Sequence, residues 1–178
     1  MQLKQTKNAL NTFAKYVIQQ AKSNLTRSKK NSSKSLYNSL DYDINVTQDS
    51  MSVVFEMEDY GMFQDLGVSG KKTKYNTPFS YKSKMPPASA FSQWVVRKGL
   101  DGVRDKKGRF IKRKSMQYLI ARSVFMYGIK PSMFFTKPFE KGFERLPEEL
   151  QNKFVKDIEN AIRMAEFMGR KQAAETSA

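Results

Sequence analysis

Leu40-Asp41-Tyr42-Asp43-Ile44-Asn45-Val46-Thr47-Gln48-Asp49-Ser50-Met51-Ser52-Val53-Val54-Phe55-Glu56-Met57 is the stretch that decides the fold. Leu40, Tyr42, Ile44 and Val46 alternate with polar residues, and Met51, Val53, Phe55 and Met57 recur at the same interval. Successive side chains on a strand point to opposite faces, so each run presents one apolar face. Thr47 to Ser50 is a polar turn between the runs, and an antiparallel hairpin follows. Tyr42, Ile44, Val53 and Phe55 are expected inward, with Asp41, Asp43, Glu56 and Glu58 outward. A slip of one residue would turn all of these side chains over.

Working outward, Leu3, Leu10, Phe13, Ala14, Val17, Ile18 and Ala21 fall on one helical stripe, which is expected to stop at Ser23-Asn24. A polar, basic loop follows from Ser28 to Ser33. Beyond the hairpin, Gly61, Gly67 and Gly70 permit turns, and Phe79-Ser80-Tyr81 reads as a short third strand. Pro86-Pro87 opens a helix with Ala88, Phe91, Trp94 and Val95 on its stripe, ended by Gly99 and Leu100. Ser115 is expected to cap a helix buried through Met116, Leu119, Ile120, Val124 and Tyr127, which ends at Gly128-Ile129 and Pro131. The last helix starts near Pro147, with Glu148 and Glu149 in its first turn and Leu150, Phe154, Ile158, Ile162 and Ala165 as its stripe. The fold class is α+β: a small antiparallel β-sheet packed by an N-terminal helix and three later helices, with extended basic arms. Residues 1–34 form a basic helix and loop, or arm. Residues 35–168 form the α+β domain, including the basic loop 101–114, and residues 169–178 form a flexible tail.

The 178 residues carry 32 Lys plus Arg against 17 Asp plus Glu, a formal net charge of +15. At 39% hydrophobic and 12% aromatic the chain is not of disordered composition. No apolar run approaches the roughly 18 residues of a membrane span, and the N-terminus lacks a signal-peptide core, so a soluble protein without membrane contact is expected. Cys and His are absent, which excludes disulfides, thiol nucleophiles, imidazole bases and the usual zinc sites. No cofactor, metal or small-molecule substrate is expected.

Glu56, Glu58, Asp59 and Asp65 are an acidic group of the kind that binds magnesium, but period two on any solvated strand face gives the same pattern. The reading is therefore not an enzyme. Phe134, Phe135, Phe139 and Phe143, between prolines, read as a core-closing turn rather than a base-stacking platform, and Trp94 reads as packing. The basic segment has most functional content. Seven of the fourteen residues from Asp101 to Lys114 are Lys or Arg: Arg104, Lys106, Lys107, Arg109, Lys112, Arg113 and Lys114. Such clusters contact phosphates without reading sequence. Phe110 and Ile111, an apolar pair expected at the arm's tip, favour docking on protein. Subunit contact is expected first and DNA proximity second.

The order of several short motifs resembles the tailed-bacteriophage neck and tail-completion (head–tail connector) proteins. Ser33-Lys34-Ser35-Leu36-Tyr37-Asn38-Ser39-Leu40 resembles their T/S-G-x-L-x-x-S-I segment between the first helix and first strand. Tyr60-Gly61-Met62-Phe63-Gln64-Asp65-Leu66-Gly67 resembles their Y-A-x-x-V-E-x-G-T element. Ser92 to Leu100, and Tyr118-Leu119-Ile120-Ala121-Arg122 through Gly128-Ile129-Lys130-Pro131, are similar to their two later helices. Phe135-Thr136-Lys137-Pro138-Phe139 is similar to the closing P-F element. The match runs from about Ala9 to Phe167. It departs at Lys34-Ser35, where Thr-Gly or Ser-Gly is usual, at Asp65 for the common Glu, and at Val68-Ser69-Gly70 for the common Thr. The resemblance implies Leu36, Ser39, Tyr60, Gly61, Asp65, Gly67, Trp94, Pro138 and Phe139 as structural motif residues. It implies a non-catalytic virion protein, made in the host cytoplasm, that forms a homo-oligomeric ring at the head–tail junction. Partners would be other neck, portal or tail proteins, with non-specific contact to packaged DNA. The rival expectation is a sequence-independent nucleic-acid-binding protein.

Overall fold

The computed structural model describes residues 3–28, 30, 33–47 and 50–176. Its elements are α1 (Lys4–Arg27), α2 (Ser35–Ser39), β1 (Asp41–Val46), β2 (Met51–Glu56), α3 (Gly61–Leu66), α4 (Ser92–Arg97), α5 (Arg113–Tyr127), α6 (Thr136–Phe143) and α7 (Leu146–Thr176). Single 3₁₀ turns at Ala88–Phe91 and Leu100–Gly102 flank α4. The class is α+β, as the alternating and helical periods require. The short helices α3 and α6 replace the turns expected at Tyr60–Gly67 and Phe134–Phe143. At six and eight residues they are too brief to show a full amphipathic pattern.

The chain divides into two compact units that cut across the segment boundaries expected from sequence. The first comprises residues 1–21, 41–56 and 137–178. Here β1 and β2 pair antiparallel, with Tyr42 opposite Phe55 and Ile44 opposite Val53. Those four side chains are half-buried while Asp41, Asp43 and Glu56 are exposed, so the expected register holds. Val46, at the turn end, is exposed instead of inward. Phe13 of α1 meets Phe55 edge-on at 6.1 Å and Phe139 of α6 at 5.7 Å, and Phe55 meets Phe139 at 6.0 Å. T-shaped contacts of this kind align ring edges with ring faces and add to the burial term.

The phase of α7 differs from the expected stripe. Leu146 and Asp157 are its buried positions, whereas Phe154, Ile158 and Ile162 are exposed. The physical reason is Asp157, which accepts hydrogen bonds from the Gln5 amide (3.0 Å), the Thr6 amide (2.9 Å) and the Thr6 hydroxyl (2.9 Å). α1 has no acidic residue in its own first turn, so this carboxylate supplies both the acceptors and the negative charge that a helix N-terminus lacks. Burial pushes the Asp157 carboxyl up, but the Thr6 and Gln5 amides and the Thr6 hydroxyl outweigh it and hold the pKa below the ordinary value. α7 also continues past Gly169 to Thr176, so the segment expected as a flexible tail is helical through that residue. Arg, Lys, Gln, Ala and Glu at 170–175 are strong helix formers and tolerate one glycine upstream. Ser177 and Ala178 lie outside the described residues.

The second unit comprises residues 22–40 and 57–136. α1 passes the expected stop at Ser23-Asn24 because Leu25, fully buried, extends its stripe by one more turn, and the Asn24 side-chain amide donates to the Phe134 carbonyl at 3.2 Å. Of the loop expected at Ser28–Ser33, Lys29, Asn31 and Ser32 lie outside the described residues. Val68 and Ile129 exchange backbone hydrogen bonds at 2.9 and 2.8 Å, and Ser69 bridges the Phe79–Tyr81 segment. Gly128 closes this arrangement. Its φ is +74°, and a Cβ there would stand 2.0 Å from the Val68 carbonyl oxygen. Gly99, at φ +63°, ends α4 as its position predicts.

α5 begins at Arg113 rather than at Ser115, and its buried positions are Gln117 and Ala121. Leu119 and Tyr127 are exposed, and Met116, Ile120 and Val124 are half-buried. Ala121 is fully buried on this helix, against which α4 and the Ala88–Phe91 turn pack. In α4 it is Val95 that is fully buried, and Trp94 is 39% exposed, contrary to the packing role expected of it. The 3₁₀ entry to α4 has three residues per turn and shifts the phase of its stripe.

Candidate functional site

Two arrangements in the second unit bear on function, the basic segment and the cluster of motif residues. The basic segment folds as a compact hairpin rather than a long arm. Arg104 bridges Phe110, Ile111 donates its amide to the Val103 carbonyl at 2.9 Å, and Asp105 donates its amide to the Arg109 carbonyl at 2.8 Å. Asp105 organises the turn. Its carboxylate accepts from the Lys107 amide (2.9 Å), the Arg109 amide (2.9 Å) and the Arg109 Nε (3.0 Å). The Arg109 amide, helped by the guanidinium and the Lys107 amide, outweighs burial and holds the Asp105 carboxyl below its ordinary range. A side-chain carboxylate that bonds backbone two and four residues on is the usual way an Asp fixes a turn.

Within this frame Lys106 and Lys107 form the tip, exposed and without an ion pair among the described residues. The Arg104 guanidinium lies 4.0 Å from the Phe110 ring centroid, a cation–π contact, and donates to the Gly108 carbonyl at 3.0 Å. Phe110 is 63% exposed and Ile111 half-buried. The apolar pair expected at the tip is therefore on the returning strand, beside Arg104 and Val103, because the Asp105-centred turn takes only Lys106, Lys107 and Gly108 to the end. Lys112 and Lys114 are exposed at the start of α5, and Arg113 donates to the Ser92 carbonyl (3.0 Å) and hydroxyl (2.8 Å). The foot of the hairpin is thereby tied to the start of α4.

The motif residues Leu36, Ser39, Tyr60, Gly61, Asp65 and Gly67 come together. The Leu36 amide donates to the Tyr60 hydroxyl at 3.0 Å, and the Glu58 amide donates to the Ser39 hydroxyl at 3.0 Å. A Cβ on Gly61 would lie 2.9 Å from Leu36 Cδ1, and one on Gly67 would lie 2.6 Å from the Ile129 carbonyl oxygen. Asp65, only 3% exposed, accepts from the Phe135 amide (2.8 Å), the Thr136 amide (3.2 Å) and the Thr136 hydroxyl. Its backbone carbonyl takes the Ser132 and Met133 amides, each at 3.0 Å. One residue of the Tyr60–Gly67 element thus caps the start of the Phe135–Phe139 element, seventy positions later. Pro138 is buried and Phe139 belongs to the aromatic cluster of the first unit. Trp94, on α4, meets the motif residues at Tyr60, with which it lines one cleft. Lys34, within the Lys34-Ser35 pair that stands where the resembling family has Thr-Gly or Ser-Gly, has φ +56°, the left-handed region that glycine enters freely.

No group of three or more acidic residues suited to a metal ion occurs among the described residues. Of the acids considered for one, Asp65 is committed to α6 and Glu58 accepts from the Ser35 hydroxyl at 3.0 Å. A cleft that sequence reasoning missed lies beside the motif cluster. Lys30 and Lys130 line it with Arg97, Lys98, Tyr60 and Trp94, and Lys30 Nζ donates to the Lys130 carbonyl at 3.4 Å. Burial lowers the Lys30 pKa, and the Lys130 charge adds to this while Asp65 opposes it. Nothing in the sequence announces the pairing of residues a hundred positions apart. No helix of the described residues is long and apolar enough to cross a membrane. Comparison of the chain with protein-family models, curated proteins and solved structures finds no match.

Proposed function

We propose that this chain is a structural virion subunit that forms a ring at the head–tail junction of a tailed bacteriophage, joining the capsid connector to the tail. The observation that carries the reading is the meeting of motifs at Asp65. Elements that resemble the neck and tail-completion family in sequence order also depend on one another, because the acid of the Tyr60–Gly67 element caps the helix of the Phe135–Phe139 element. The role is mechanical and not catalytic, and needs no cofactor. Its partners are further copies of the chain and the neighbouring neck, portal or tail proteins, with contact to packaged DNA in second place. Assembly takes place in the host cytoplasm.

The hairpin is the assembly contact in this reading. It is held by Asp105 in one conformation before any partner arrives, so little ordering entropy is lost on docking. It offers an exposed Phe110 framed by bases, a combination that suits an acidic groove with an apolar floor. Replacing Arg104, Lys106, Lys107, Arg109, Lys112, Arg113 and Lys114 by Gln or Ser in the phage tests this. Filled heads that fail to join tails are expected. Intact particles with normal tails but poor DNA retention would reverse the order of protein and DNA contact.

A further inference from the structure

In the second unit a cleft of about 470 Å³ is lined by Lys30, Arg97, Lys98 and Lys130 together with Tyr60 and Trp94. We propose that this cleft binds single-stranded nucleic acid, with phosphates on the four cations and a base stacked on Trp94. The inference stands apart from the head–tail reading and survives its failure.

Charge is the first ground. Among the described residues the lining holds four cations and no carboxylate. A patch of one sign inside a concave wall focuses the field and favours a polyanion, whereas protein–protein rims mix both signs. Lys30 is half-buried with its ammonium group beside the Lys130 carbonyl, where burial disfavours its charge first, Asp65 supports it and Lys130 opposes it least. A phosphate entering the cleft adds a counter-charge that the lining itself lacks. Arg113 is bonded to Ser92, which ties the start of α5, with Lys112 and Lys114 beside Arg113 in sequence, to the start of the helix that carries Trp94 and Arg97. Four cations in one lining suit more than one phosphate, which favours a strand over a lone phosphate ion.

The aromatic rings are the second ground. Trp94 is 39% exposed and Tyr60 40% exposed, and both face a cationic cleft rather than a core. The Tyr60 ring is fixed by the Leu36 amide on its hydroxyl, so it is a rigid wall. Cationic grooves with aromatic platforms bind single strands with little sequence preference, since every base has a face to stack. In a duplex the bases are stacked on one another and do not reach such a platform. The volume falls within the range of about 300–1,000 Å³ typical of small-ligand sites and leaves room for one nucleotide.

Trp94 is the chain's single tryptophan, so its fluorescence reports on this cleft alone. Titration of the full chain with an oligothymidylate of about a dozen nucleotides is expected to quench that fluorescence. Affinity should fall as salt rises, and the double change Lys30→Gln, Lys130→Gln should flatten the log–log salt slope by roughly 1.4, two phosphate contacts' worth in a single strand. Measured by anisotropy of a labelled strand, Trp94→Ala, at an exposed position that keeps the fold, should weaken binding about 5- to 150-fold. An oligouridylate that quenches Trp94 equally also supports the proposal and shows that the sugar is not read. Three results overturn it: a blunt duplex or a polyglutamate peptide bound as tightly as the oligothymidylate, strand binding without quenching, or strand binding abolished by Lys106→Gln, Lys107→Gln at the hairpin tip but untouched by Lys30→Gln, Lys130→Gln.

Discussion

Replacing Asp65 by Ala removes the acceptor of two backbone amides and one hydroxyl at a position only 3% exposed. Hydrogen bonds to a charged group contribute about 1.5–3 kcal/mol each, and a buried amide left without a partner costs about 1–3 kcal/mol. The Phe135 and Thr136 amides would both lose their partner, and the Thr136 hydroxyl can turn elsewhere. The sum, allowing for water entering the space vacated, is a loss of about 3–5 kcal/mol. At about 2–4 °C per kcal/mol for a chain of this size, Tm should drop by about 6–20 °C. Asp65→Asn keeps one oxygen as acceptor and should lose about half as much. Asp65→Glu, the residue usual in the resembling family, adds a methylene in a closed site and should cost about 1–3 kcal/mol. Urea unfolding of the purified variants measures all three. The reasoning is refuted if Asp65→Ala leaves stability within about 1 kcal/mol of the parent.

Phe55→Ala should destabilise by about 2–4 kcal/mol, below the full core value because the ring is only half-buried, and near-ultraviolet circular dichroism should lose the signal of the Phe13–Phe55–Phe139 cluster. Lys34→Gly should stabilise by about 0.5–1 kcal/mol, because relief of a left-handed non-glycine residue exceeds glycine's entropic cost, and denaturant midpoints read the sign. Asp157 has a folded pKa below its ordinary value of 3.8. Its contribution is therefore complete above pH 3.8 and is lost as pH falls through the lower folded value. Urea midpoints taken downward from neutral pH should show this acid limb in the parent and a flatter one in Asp157→Asn.

How much of this was legible depended on whether a signal was local. Alternation around Ile44 and Val53, and the α1 stripe, are periodic over enough residues to fix the hairpin and the first helix. The phase of α7 was not legible, because a charged residue on a helix is read as solvent-facing. Asp157 is buried for a reason that lies more than a hundred residues away, at Gln5 and Thr6. Trp94 was misplaced for a different cause, the 3₁₀ turn that resets the phase of α4 within one helical turn. The hairpin's charge was plain in the sequence, but its compactness rests on Asp105, one of two acids among the seven bases of residues 101–114. The cleft was invisible, since Lys30, Arg97 and Lys130 are gathered only by the tertiary fold.

The most direct test of the proposed head–tail role is a density map of tailed phage particles that contain this chain or are made in its presence. The account predicts a closed ring of copies at the head–tail junction, each with Phe110 and the Lys106-Lys107 tip buried against a neighbouring subunit or the adjoining ring. A map with no copies at the junction, from particles that nevertheless carry tails, contradicts it.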